Sequence, residues 1–301
     1  MFYKYTLFLF FVGLLFSFPI QAQEDPENLV YETFLGTRLI HTHTNETVDK
    51  GKLDILITHR FGDMAGDLGG FNNFFGFDNL ADVRIAFEYG VSERLTLGVG
   101  RSKGFSGPLK LVDGLAKFRL LRQTVDNKMP FSVTLYGNAV VSHMKATEDP
   151  ALATSFGKFA HRMSYDVQAI ISRKFSDRFS LQIMPNFLHR NFVVAGDENN
   201  NLSIGIAGRI ALGKHTALIF DYYKFFSAYR DNINSQEGEN ILKYYNPLGI
   251  GLEIKTGGHV FLLNFSNSPG IIENQYLPYT NKNWGDGQFR LGFNISRPIQ
   301  L

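Results

Sequence analysis

Cysteine is missing from all 301 residues. That removes disulfides, thiolate zinc sites, haem attachment motifs and a lipidated N-terminal cysteine. A surplus of either charge is missing too: 30 Lys and Arg stand against 28 Asp and Glu. Nothing in that balance suggests a surface for nucleic acid. After residue 22 there is no apolar run long enough for a transmembrane helix, and amphipathic stretches of helical period are scarce. Neither Gly-x-Ser-x-Gly nor His-Glu-x-x-His occurs, so the familiar hydrolase and zinc-protease motifs are excluded. The glycines of 62–79 are not followed by Gly-Lys-Ser/Thr, which excludes a phosphate loop. What the chain does have is 44% hydrophobic and 14% aromatic residues. That is ample for a folded unit and argues against disorder over most of the length.

The start of the chain carries a short apolar core from about Thr6 to Phe18, preceded by Lys4 and followed by Ile20, Gln21 and Ala22. A spanning helix needs about 20 apolar residues, and this core is shorter. The pattern predicts a secretory signal peptide over 1–22, cut after Ala22, with a mature chain that begins near Gln23 and leaves the cytoplasm.

Two-residue alternation dominates the rest. Val83, Ile85, Phe87, Tyr89 and Val91 take every second place with Arg84 and Glu88 between them, and Leu95, Leu97 and Val99 resume the beat. Met163, Tyr165, Val167, Ala169 and Ile171 likewise oppose Arg162, Ser164, Asp166 and Gln168, and Phe289, Leu291, Phe293 and Ile295 oppose Gln288, Arg290 and Asn294. Such patterns mark strands whose two faces meet different surroundings, and they recur about twelve times. The connections alternate as well, long over 62–80, short over 91–93, long again over 144–160 and short over 175–177.

A soluble sandwich also alternates, but its strands run to about five or six residues. Here they reach ten or more, as a tilted bilayer span requires. Within lipid a sheet satisfies every backbone group only by closing on itself. Long loops, short turns and an even strand number are the marks of outer-membrane barrels. The expected fold is all-β: a closed antiparallel transmembrane β-barrel of about twelve strands, an up-and-down meander over 51–301, after a periplasmic N-terminal segment over 23–50. Pro185 falls inside one strand, where a bulge or local break is expected because proline gives no ladder donor.

The pieces HRFGD (59–63), GFDN (76–79), FEYGVSERLTLGVGRS (87–102), KFRLLRQ (117–123) and PFSVTLYG (130–137) carry a resemblance. They resemble a Bacteroidota family of outer-membrane β-barrels of unknown function, the domain of unknown function 5777. The likeness spans nearly the whole mature chain and implies location and fold. It brings no catalytic or binding residues.

Charges on a lipid face are costly, so chemistry is sought on the polar face. The residues expected to line the lumen are Arg60, Arg84, Glu88, Lys117, Arg119, Arg162, Asp166, Arg190 and Arg290, with Lys174, Arg209, Asp54, Asp82, Asp221 and Glu253 on the same face. Cations outnumber anions among them. The favoured function is a narrow channel or binding barrel for small polar or anionic solutes, in the bacterial outer membrane. The alternatives are a plugged structural barrel filled by a salt-bridge network, and a rim lipid hydrolase using Ser142, His143, His189 or Ser268.

Catalysis, a cofactor and a resident metal are not expected. His41 and His43 would share a face of an extended segment, and Asp63, Asp67 and Asp78 sit in one loop, but neither set completes a ligand shell. The loop phenylalanines Phe71, Phe74, Phe75 and Phe77 are read as packing on the rim or lining a vestibule. The expected partners are outer-membrane lipid, the barrel assembly machinery, periplasmic chaperones and a small polar solute.

Overall fold

The computed structural model describes residues 26–238 and 242–300. The sequence features assigned to a signal peptide lie outside the described residues. Twelve strands close into one antiparallel barrel in simple sequence order. They are β1 (Lys52–Phe61), β2 (Leu80–Gly90), β3 (Leu95–Ser102), β4 (Leu111–Leu121), β5 (Ser132–Ser142), β6 (Met163–Ser176), β7 (Phe179–Arg190), β8 (Asn200–Ala211), β9 (Thr216–Phe226), β10 (Leu248–Lys255), β11 (Val260–Ser266) and β12 (Arg290–Gln300). Closure is made by β1 against β12, in register from Lys52 opposite Gln300 to Arg60 opposite Gly292. The expected up-and-down barrel is thus the observed fold.

Period two fixes which side chains point inward. On β2, Phe87 is 44% exposed and the adjacent Glu88 is 0% exposed. Ile85, Tyr89, Leu97, Val99, Val167, Ile183, Ile204 and Leu263 are likewise exposed on the outer wall. In water such a belt would be a liability, whereas in hydrocarbon it is the required surface.

Ladder irregularities sit near strand ends, with register shifts at Arg60/Phe61, Arg119/Leu121 and Lys174/Ser176. At Pro185 the β6–β7 ladder skips from the Gln168–Asn186 pair to the Ile171–Ile183 pair without changing register. The other edge of β7 pairs continuously, with Pro185 opposite Ile204. The missing N–H therefore produces a local break and no bulge.

Connections over 62–79, 103–110, 143–162, 191–199, 227–247 and 267–289 gather at one end, and the shorter turns gather at the other. Two helices belong to the long-loop end: α1 (Ala228–Ser235), started by the Ser227 hydroxyl accepting from Arg230 N, and α2 (Glu273–Tyr279).

The segment before β1 departs from the expectation of a periplasmic appendage. It first runs along the short-turn end, where Val30 N donates to Gln123 O at 2.9 Å and Val125 N to Asn28 O at 2.8 Å. It then turns into the barrel, and Thr33, Phe34 and the residues from Thr37 to Asn45 are buried there. Finally it returns to the same end, where Gly51 N donates to Gly90 O at 2.8 Å. The inserted part is a narrow hairpin, with Thr44 N donating to Thr37 O at 3.0 Å and Leu39 N to Thr42 O at 2.9 Å. A β-carbon on Gly90 would stand 2.1 Å from Asp49 O, so only glycine lets the hairpin's base pass this close to β2.

Candidate functional site

The inward face of the barrel is a mixed surface. Arg60, Arg84, Glu88, Lys117, Arg119, Asp166, Arg190 and Arg290 are all buried inside. Arg162 is not among them. It stands half-buried at the rim before β6, donates to Met144 O at 2.5 Å and lies over the Phe156 ring. The interior is also less polar than simple alternation suggests. Ile170, Met184, Leu188 and Tyr223 face inward and pack with Phe34, Leu39 and Ile40 of the hairpin and with Tyr276 and Leu277 of α2.

Several of the interior charges are matched in one of two ways. Some pair across the wall: Arg84 is bidentate to Asp113, with Nε to Oδ1 at 3.1 Å and Nη2 to Oδ2 at 2.6 Å, and Arg209 meets Glu253 at 2.5 Å. Asp113 was missed from the sequence, although it shares parity with Lys117 and Arg119 on β4. Lys117 and Arg60 are matched by the hairpin's backbone. Lys117 Nζ donates to Thr37 O at 2.7 Å and to Glu46 O at 2.9 Å, and Arg60 Nη2 donates to Ile40 O at 2.6 Å. Asn294 donates to Leu39 O at 2.6 Å and Gln182 to His43 O at 2.8 Å. The surplus of lumen cations is thus partly met by carbonyl dipoles of the chain's own N-terminal segment, which charge counting cannot reveal.

At the hairpin tip, Asp221 of β9 accepts from His41 N at 2.6 Å and Thr42 N at 3.1 Å, and lies 2.6 Å from His41 Nδ1. His41 Nε2 faces Ser266 Oγ at 2.7 Å. A serine, an imidazole and a carboxylate in this order have the geometry of a hydrolytic triad. All three are fully enclosed, and Ser266 Oγ already accepts from Ser268 N at 2.8 Å. Enclosed in this way, the set holds the hairpin to the wall.

The serines and histidines considered for a rim hydrolase do not come together. Ser142 is buried and donates to Leu109 O at 2.6 Å, while His143 is exposed. His189 is engaged by Asn191 and Asn200, both at 2.7 Å, and Ser268 accepts from Thr280 Oγ1 at 2.8 Å.

His41 and His43 diverge as well: the His43 ring stacks on Tyr136 with centroids 4.1 Å apart, and its Nε2 lies 4.0 Å from Glu273. Among the described residues no group of three or more metal-ligating side chains is assembled. In the loop over 62–79, Phe77 packs on Phe61 with centroids 4.9 Å apart, whereas Phe71 is exposed.

The loop over 267–289 enters from the opposite end. Ile271, Ile272 and α2 from Glu273 to Leu277 are buried, and Arg38 Nη2 of the hairpin donates to Ile271 O at 2.5 Å. Hairpin and loop therefore meet inside the barrel, with the His41 and Tyr276 rings 5.2 Å apart. Near Gly36, Leu56 and Asn294 the space left between hairpin and wall is about 10 Å³, barely room for one water. A β-carbon on Gly249 of β10 would stand 2.6 Å from Ile40 Cγ2, which shows how closely the tip fits its wall.

A closed β-barrel with a lipid-facing wall and an interior filled from both ends is the class of protein that this geometry defines. The family described as a membrane bound beta barrel domain (DUF5777) matches residues 34–298, and the chain belongs to it. No curated protein matches the chain. Among solved structures it is similar to the NanC porin, at 8% identity over 83% of this chain and 100% of that one, with a TM-score of 0.45. It is also similar to the KdgM porin in complex with disordered oligogalacturonate, at 7% identity over 82% and 98%, with a TM-score of 0.47. The COG4313 outer membrane channel from Pseudomonas putida F1 is similar at 13% identity over 85% and 98%, with a TM-score of 0.46.

Proposed function

We propose that the protein is an outer-membrane channel for small polar or anionic solutes, held closed by its own N-terminal hairpin, and that solute passes only when the hairpin is displaced. The observation that carries this reading is the chemistry of the contact between hairpin and wall. Lys117, Arg60, Asn294 and Gln182 all donate to hairpin carbonyls. Water or an anionic solute can replace such acceptors without leaving a cation bare. A wall built only to support a permanent core has no need of the two charged donors among them, Lys117 and Arg60, because buried charges are costly unless each is matched. In barrels of this type short turns face the periplasm and long loops face outward. The hairpin then enters from the periplasmic side, and the loop carrying α2 enters from outside.

Planar-bilayer recording tests the reading. The full protein is expected to insert and stay largely silent, and a form lacking residues 33–47 to conduct steadily with a preference for anions. A deletion form that inserts, keeps its heat-dependent gel shift and conducts no more than the full protein would establish a structural barrel instead.

A further inference from the structure

We infer that the long-loop end carries a binding site for a small monocarboxylate borne on a six-membered ring, with the Arg230 guanidinium as the group that takes the carboxylate. The inference rests on the channel reading for its meaning, since it names a solute class, but it requires binding alone. The site is a cavity of about 120 Å³ where the loops over 143–162, 191–199, 227–247 and 267–289 converge. An apolar void of about 150 Å³ takes up benzene, so a space of about 120 Å³ that opens to the outside sets one six-membered ring as the upper limit.

Two guanidiniums face the cavity, and only one has a carboxylate. Arg190 is engaged by Asp197, with Nη1 to Oδ2 at 3.0 Å and Nη2 to Oδ1 at 3.1 Å, and it also donates to Glu198 O at 2.8 Å. Arg230, 6% exposed, donates to backbone carbonyls, Leu277 O at 3.0 Å and Tyr245 O. Its carbon lies over the rings of Phe225 at 5.1 Å and Tyr244 at 5.3 Å. Among the described residues no carboxylate stands within ion-pair distance of it. Burial pulls its pKa down to about 10, so it stays charged at neutral pH.

Carbonyl dipoles, ring faces and the more distant charges of Asp231 and Asp197 hold this cation in place, but no carboxylate is bonded to it. A ligand carboxylate supplies that bond, in the planar bidentate geometry that guanidinium favours. One cation without a bonded carboxylate calls for one negative charge, which a carboxylate carries at neutral pH, whereas phosphate carries on average more than one.

The walls choose the rest of the ligand. The Tyr229 and Tyr244 rings have centroids 6.4 Å apart and planes tilted by 56°, and Tyr279 also lines the space. Faces of this kind pack a ring.

Calorimetric titration of the full-length protein in detergent tests the site, with benzoate, benzyl alcohol and inorganic phosphate as probes. Benzoate is expected to bind saturably, with benzyl alcohol weaker by about tenfold or more, as loss of a charge-assisted pair requires. Phosphate is expected not to compete. Arg230→Gln should abolish saturable benzoate binding. Because that change also removes the donors to Leu277 and Tyr245, Val194→Phe is the second variant: it fills the cavity from a neighbouring loop and leaves Arg230 intact. It too should lose benzoate while keeping the heat-dependent gel shift.

Equal binding of benzoate and benzyl alcohol, absence of saturation, or wild-type affinity in Val194→Phe would overturn the assignment. A barrel that binds benzoate as expected yet never conducts would remove the channel reading and leave this site standing.

Discussion

His41 Nδ1 lies 2.6 Å from Asp221 Oδ1, with both side chains wholly enclosed, and this contact joins the hairpin tip to a strand 180 positions away. Asp221 also accepts both backbone N–H groups at the tip. Changing Asp221→Asn keeps the shape and removes the charge. Exchanging a carboxylate for a neutral amide weakens the charge-assisted hydrogen bonds that hold the tip, each worth about 1.5–3 kcal/mol, and so loosens the hairpin at its tip. In planar bilayers the variant is expected to open far more often than the parent. An unchanged record would mean that the tip is held by packing alone.

Lys117 holds both legs of the hairpin through Thr37 O and Glu46 O. Lys117→Met leaves Glu46 O without this donor, at about 1–3 kcal/mol, and takes one of two donors from Thr37 O, which keeps Thr44 N. It also removes one of the cations that act on Glu88, whose carboxylate oxygens have no hydrogen-bond partner. Proteolysis of the folded barrel is expected to clip within residues 33–47 in this variant and to leave the parent intact there. Equal resistance in both would show that Lys117 does not retain the hairpin.

The Arg84–Asp113 pair lies against the wall and makes no contact with the hairpin through these atoms. Arg84→Met alone strands a buried carboxylate and should lower the temperature at which the gel shift is lost, at a cost of about 3–5 kcal/mol. The double change Arg84→Met with Asp113→Leu should recover most of that loss, because two matched apolar groups replace two matched charges. Additive losses would contradict a direct pair. Channel closure should be unaffected in the double variant, which separates barrel stability from gating.

Much of the wall was legible in the sequence, since period two is imposed directly by lipid outside and a different medium inside. Phe87 and Glu88 could be assigned to opposite faces from their neighbours alone, and Pro185 announced its ladder break. The hairpin was not legible. Thr37-Arg38-Leu39-Ile40-His41-Thr42-His43 has the look of a solvated segment, and its partners on β1, β4, β9 and β12 come near it only once the barrel closes.

The cation surplus was visible, but not its match, because backbone carbonyls carry no signature in a charge count. Arg162 was placed in the lumen by extending alternation one residue beyond the start of β6. Arg230 escaped notice because loop residues have no period to interpret.

Closure by the hairpin requires residues near Thr42 to be sealed inside the barrel. The chain has no cysteine, so a single Thr42→Cys substitution gives an unambiguous reporter, with Tyr31→Cys, at a 51% exposed site, as the reference. In intact membranes a small polar maleimide is expected to label position 31 readily and position 42 only after heat unfolds the barrel. Labelling of position 42 in the folded protein at the same rate as position 31 would contradict a closed, hairpin-filled interior.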